Sequence, residues 1–142
     1  MSFAGTARGI ESRVVPREGF PLDLLRSSGF KGKSLSDRLR GAALLPLGLM
    51  DAWRIVSARR PHLVIGVGGY SSGPVVLAAA LRGVPTMLLE QNAGPGLTNR
   101  LLARLADRVL EGFPGSFGRG RRAEHVGNPV RVEIAEITSP ER

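Results

Sequence analysis

Three short segments of this 142-residue chain concentrate the residue types that bind polar ligands. The first is Gly68, Gly69, Tyr70, Ser71, Ser72, Gly73 and Pro74. Its small residues let a ligand approach the backbone, and amides left free at the start of a helix point at whatever binds there, which is the geometry of an anion site. A tight strand-to-helix turn that uses glycine only for its backbone freedom explains the same residues. Tyr70, the single tyrosine, favours a ligand, because a phenol in such a turn has little packing purpose. The second segment, Glu90 to Asn99, holds a carboxylate, the carboxamides of Gln91, Asn92 and Asn99, and the Thr98 hydroxyl. Carboxamides both donate and accept, as recognition of sugar hydroxyls, acetamido groups or a uracil edge requires. Thr98 or Asn99 would at the same time cap the next helix. The third is Gly127-Asn128-Pro129-Val130-Arg131, where Arg131 suits either a phosphate or carboxylate ligand or a surface ion pair.

Competing motifs are incomplete. Gly66-Val67-Gly68 with Glu90 further on imitates a dinucleotide fingerprint, but Ser71 stands in the third glycine's place. Gly32-Lys33-Ser34 imitates a phosphate-binding P-loop, yet Ser27 occupies the earlier glycine's position and no buried strand precedes it. The absence of cysteine excludes disulfides, thiolate metal sites and cysteine nucleophiles. There is no Asp-x-Asp pair to hold a divalent metal, His62 and His125 are isolated, and no Ser-His-Asp constellation can be assembled, so neither metal nor cofactor is expected.

The elements that must position these segments follow from hydrophobic patterning. Residues 62–67, 84–89 and 108–113 are largely apolar runs between turn residues, as expected of neighbouring strands buried in a parallel sheet, with a further short strand near 124–126. Pro74 would start a helix over 75–81 that Gly83 ends, and a second helix is expected over 97–106. Upstream, 10–15 suits a short helix and 20–25 a strand. Ser34 would cap a long helix reaching about Arg59, kinked or split by Pro46 and Gly48, and 130–137 has a helical pattern. Strands alternating with helices at this spacing predict an α/β fold, a Rossmann-like doubly wound parallel sheet. In such a sheet ligands sit beyond the carboxyl ends of the strands, where all three polar segments fall.

Charge is unevenly placed. The formal net charge is +8, and residues 1–60 carry 11 basic and 5 acidic side chains against 9 and 7 in residues 61–142. With 5% aromatic residues and no basic run interleaved with them, nucleic acid is not expected as the partner. An anionic membrane surface is. Lys31, Lys33, Arg38, Arg40 and Arg54 flank the apolar stretch from Ala42 to Met50, whose Leu44, Leu45 and Leu47 would face lipid. A helical hairpin bent at Pro46 with solvated basic flanks is the competing explanation. The stretch is too short to span a bilayer, and the first residues lack the pattern of a signal peptide.

In their order and spacing, the three polar segments resemble the MurG family of peptidoglycan N-acetylglucosaminyltransferases. The start, Ala4 to Glu11 with Val14-Val15-Pro16 and Gly19-Phe20-Pro21, is similar to the second strand and following helix of the same enzymes. The resemblance implies the acceptor-side, N-terminal half of a two-domain GT-B glycosyltransferase, with residues 1–136 a partial Rossmann-like domain and 137–142 a tail or the start of the interdomain region. It implies metal-independent, inverting transfer of N-acetylglucosamine from its uridine diphosphate donor to undecaprenyl-pyrophosphoryl-muramyl-pentapeptide, peripherally attached at the cytoplasmic face of the inner membrane. The Gly68–Pro74 segment, with Tyr70, would face the acceptor's pyrophosphate. Glu90, Asn92 and Asn99 would belong to the cleft, and Asn92 and Arg131 would contact the donor. The family's Gly-Gly-Thr-Gly-Gly-His loop, which carries the proposed base, would lie upstream of Met1, so no catalytic residue is expected within this sequence. The donor half likewise matches nothing here, and Leu89 replaces a frequent histidine. The chain alone is therefore expected to be inactive. Other readings are a non-catalytic module that binds membrane or lipid pyrophosphate, and a dinucleotide-binding domain.

Overall fold

Thr86-Met-Leu-Leu-Glu90 is the segment around which the rest is arranged. Its β-propensity and alternation give β4 (Thr86–Glu90), with Thr86, Leu88 and Glu90 buried on one face and Met87 and Leu89 half-buried on the other. The computed structural model describes residues 1–26, 35–118 and 123–130, those of 35–44 by backbone only. β4 lies between β3 (Val64–Gly66) and β5 (Arg108–Glu111), and β6 (Glu124–His125) extends the sheet, giving the order β3-β4-β5-β6 with every pair parallel. The expected parallel neighbours at 62–67, 84–89 and 108–113 are thus found.

One face of this sheet is covered by α3 (Gly69–Leu81) and α4 (Leu97–Leu102), which bring Val76 and Leu102 onto Leu88 to form a core cluster. Gly66 makes the close approach possible: a Cβ there would lie 2.7 Å from the Ser72 hydroxyl and from Val76, and 2.8 Å from Leu88. On the opposite face Ile65 is exposed, as are Leu63 and Val67 beyond the strand ends. The expectation that 62–67 is buried on both faces is corrected accordingly, because α3 and α4 shield only the Leu88 side.

α2 (Leu35–Arg59) packs against α3 through a second cluster of Ala52, Val56, Ala78 and Ala79, where small side chains let the helices meet closely. It runs through Pro46 as one 25-residue helix and is not split as the sequence suggested. Proline removes one donor, but the neighbouring turns retain theirs. Gly48 is no breaker either. A Cβ there would lie 2.5 Å from the Arg26 carbonyl oxygen, so its bare backbone seats the chain that leaves β2.

The first part of the chain forms a separate two-stranded parallel sheet, β1 (Phe3–Gly5) with β2 (Leu22–Leu24), joined by α1 (Glu11–Arg17). Phe3 and Phe20 meet edge to face at 5.4 Å. The sheet is fastened to α2 by two bidentate pairs, Arg26 on Asp51 at 2.7 and 2.8 Å and Arg59 on Asp23 at 2.8 and 2.9 Å. Among the described residues β1 and β3 pair with no strand on their second edge, which leaves a break between the sheets. The expected cap Ser34 and the expected helix over 131–137 lie outside the described residues, and Val130 is irregular. No helix among the described residues is long and apolar enough to cross a membrane.

Candidate functional site

The carboxyl ends of β3, β4, β5 and β6 each open onto a turn, and the turns after β4, β5 and β6 are hydrogen-bonded to one another. After β3 the backbone swings through Gly68 at φ 89° and Gly69 at φ 80°, values that side-chain-bearing residues rarely adopt. Helix α3 then begins at Gly69, not at Pro74. Tyr70, Ser71, Ser72 and Gly73 are therefore its first turn, not a loop. Pro74 is buried inside it, within 3.6 Å of where a Gly48 side chain would start. The free amides expected of a loop are those of a helix start, with the positive end of the helix dipole behind them.

The turn after β4 is built around Glu90, which is only 2% exposed. One carboxylate oxygen accepts from the Asn92 amide at 3.0 Å and the Asn92 side-chain nitrogen at 2.7 Å. The other accepts from the Gly96 amide at 3.1 Å and the Asn99 side-chain nitrogen at 3.0 Å. Burial pushes this carboxyl up, but the four hydrogen bonds outweigh it and hold its pKa below the ordinary value. Glu90 is therefore ionised and fully engaged by its own loop. It shapes the site from beneath and offers no lone pair to a ligand or a proton.

Asn99 is 1% exposed and also donates to the Leu89 carbonyl at 3.3 Å, whereas its side-chain oxygen has no protein partner and lies beside Gly68. The expected Thr98 or Asn99 cap is not made; Gly96 is the N-cap of α4 and no side chain bonds there. Asn92 is exposed at the mouth of the turn, its side-chain nitrogen committed to Glu90 and its oxygen left to accept.

The turn after β5 repeats the device with Glu111, which accepts from the Gly115 amide at 2.7 Å. Ser116 donates to the Asn92 carbonyl at 3.0 Å, tying this turn to the previous one. Asn128 of the third segment donates to the Gln91 carbonyl at 3.0 Å, and a Cβ at Gly112 would overlap its carboxamide. Arg131 lies outside the described residues, so its expected convergence on the site falls outside the structure. Of the residues singled out from sequence, Gly68, Gly69, Tyr70, Gly73, Glu90, Asn92 and Asn99 line one groove. Ser72 is half-buried with its hydroxyl unpartnered near Gly66, and Ser71 is half-buried. Met1, upstream of which the resemblance puts the family's proposed base, is 87% exposed ahead of β1 and is no part of the groove's lining.

Sequence reasoning missed Glu111 and Ser116, gave Asn128 of its third segment no role of its own, and missed Leu97, Leu101 and Leu105, which form the far wall of the groove. Only the leucines left a signal, their four-residue spacing along a helix face. Among the described residues no three His, Asp or Glu side chains gather to hold a metal ion.

A parallel α/β domain whose polar strand-end turns converge on one groove is the architecture expected of the N-terminal half of a two-domain glycosyltransferase, and the comparisons agree with that fold. Residues 2–111 match the glycosyltransferase family 28 N-terminal domain, and the chain belongs to that family. It is 46% identical over 136 residues to the UDP-N-acetylglucosamine--N-acetylmuramyl-(pentapeptide) pyrophosphoryl-undecaprenol N-acetylglucosamine transferase of Myxococcus xanthus, covering 94% of this chain and 36% of the relative. It is 48% identical to the enzyme of the same name from Pelobacter propionicus, with the same coverage. The crystal structure of Acinetobacter baumannii MurG superposes with a TM-score of 0.75 at 28% identity, covering 99% of this chain and 41% of that one. The MurG-family resemblance read from the three segments is thereby borne out, as is the Rossmann-like fold. The chain spans a little over a third of the length of the curated relatives it matches.

Proposed function

We propose that this chain is the acceptor-side part of an N-acetylglucosaminyltransferase that moves the sugar from UDP-N-acetylglucosamine to undecaprenyl-pyrophosphoryl-muramyl-pentapeptide. The observation that carries the reading is the groove in which the Gly68–Gly69 helix start, Tyr70 and the exposed Asn92 share one wall. The helix start suits the acceptor's pyrophosphate, and Asn92 suits a hydroxyl or amide of the donor, with Arg131 as its partner on the donor. The chain's contribution is to bind and orient. Glu90, its best-placed carboxylate, is occupied by four hydrogen bonds and takes no proton, so the base and most donor contacts come from other parts of the enzyme. The same observation weakens the dinucleotide reading, which needs Glu90 free to accept from a ribose.

Attachment to the cytoplasmic face of an anionic membrane fits the basic first part of the chain. On α2, Leu45, Met50 and Trp53 are exposed, while Leu47 is half-buried. Lys31 and Lys33 lie outside the described residues, and the side chains of Arg38, Arg40 and Leu44 are not described. The test is titration of the chain with the lipid-linked acceptor, with UDP-N-acetylglucosamine and with NAD. The acceptor is expected to bind, the nucleotide sugar weakly and NAD not at all. Preferential binding of NAD, or no binding of the acceptor, overturns the proposal.

A further inference from the structure

The polar corner at Gly68, Gly69, Asn92 and Asn99 takes up only one part of its groove, which encloses about 1240 Å³ between α2, α3 and α4. That exceeds the roughly 300–1,000 Å³ usual for a small ligand. The remaining wall is hydrocarbon: Leu45 and Leu49 from α2, Leu77 from α3, and Leu97, Leu101 and Leu105 from α4 and the turn after it. Leu97, Leu101 and Leu105 are 69%, 60% and 54% exposed, an apolar ridge that neither a sugar nor a pyrophosphate would use. Among the described lining residues the one charged side chain is Glu90, and both of its carboxylate oxygens are engaged by amides of its own loop.

We infer that this apolar wall binds the first isoprene units of a polyprenyl pyrophosphate whose pyrophosphate sits at the Gly68–Gly69 turn. The inference rests on the acceptor-binding reading above and assigns to the structure the lipid part of that acceptor. Two observations select a prenyl chain over other apolar occupants. The wall is continuous with the polar corner, so one ligand must be polar at one end and hydrocarbon along the rest. It also includes Leu45 on the exposed side of α2, the helix proposed to meet the bilayer, which gives the chain a hydrocarbon route toward lipid. Holding the tail here fixes the distance between the membrane and the sugar-accepting hydroxyl, and binding energy from this remote part of the substrate is then available for orientation.

The test is calorimetric titration of the chain with inorganic pyrophosphate, with farnesyl pyrophosphate below its micelle-forming concentration, and with farnesol. Farnesyl pyrophosphate is expected to bind at least about tenfold more tightly than inorganic pyrophosphate, and farnesol weakly. Leu101→Ser and Leu97→Ser, uncharged and both at exposed positions, should erase that gain and leave the inorganic pyrophosphate affinity unchanged. Equal affinities for the two pyrophosphates overturn the inference and leave the acceptor reading standing; this is also the outcome if the ridge is a contact face for protein. Farnesol binding as tightly as farnesyl pyrophosphate overturns it as well, since the polar corner would then play no part. Failure of both pyrophosphates to bind removes the acceptor reading together with the inference.

Discussion

The two-stranded sheet β1-β2 is tied to α2 by two ion pairs that solvent reaches, whereas the four-stranded sheet β3-β4-β5-β6 is fixed by Leu88, Val76 and Leu102, all nearly or fully out of water. Carboxylates follow the same division. Asp51 and Asp23 reach outward to arginines on a neighbouring element, while Glu90 and Glu111 turn inward and gather the amides of their own loops. The difference shows where shape must be exact. In the turn after β1 the half-buried Glu11 accepts from the Thr6 amide at 2.8 Å, but among the described residues only the turns of the larger sheet bury a carboxylate and satisfy it there, so that a loop has one conformation.

The sharpest way to break this contrast is to excavate the larger sheet. Leu88→Ala should destabilise the chain by about 2–5 kcal/mol, read from chemical denaturation, because the side chain is completely enclosed. A loss below that of an exposed leucine would show that the cluster does not hold the sheet. A smaller effect, about 1–3 kcal/mol, is expected for Glu90→Gln, which leaves amides facing an amide instead of a carboxylate. Its signature is faster hydrogen exchange at the Asn92 and Gly96 amides, and unchanged exchange there would mean that the carboxylate does not order the turn.

The smallest change is expected at the outer pair. Asp51→Asn should cost no more than about 1 kcal/mol, fading with salt, and should loosen the Arg26 amide and β2 without affecting β4. The Arg26 guanidinium holds the Asp51 carboxyl down to about 2, so its contribution to stability is complete above the ordinary carboxylate range and is lost as the pH falls through that value. Hydrogen exchange followed from neutral pH down to about pH 2 should therefore show β2 opening before β4. Simultaneous opening of the two sheets would erase the distinction.

Much of the larger sheet was legible. Its strands, the parallel order and the location of the polar segments all follow from apolar runs separated by turn residues. What escaped has physical reasons. Gly68–Pro74 reads as a loop because glycine and proline punctuate loops, yet α3 begins at Gly69, since the two positive φ values finish the turn before Tyr70. Glu90 looks like a ligand-facing carboxylate because side-chain direction is not written in composition. The loop that follows it supplies four donors at spacings of two, six and nine residues, and these close on it only once folded. The links from Ser116 and Asn128 to Asn92 and Gln91 join residues 24 and 37 apart, beyond any local pattern.

The break between β1 and β3 reaches beyond the arrangement of the two sheets. Each strand there shows a row of backbone donors and acceptors to whatever extended segment comes alongside, and next to β3 that row is bordered by the exposed Ile65 and Val67. An uncovered edge beside apolar side chains is a template for pairing between chains. When this chain is presented by itself at high concentration, the described free edge of β3 is therefore where strand-by-strand recruitment between copies should begin.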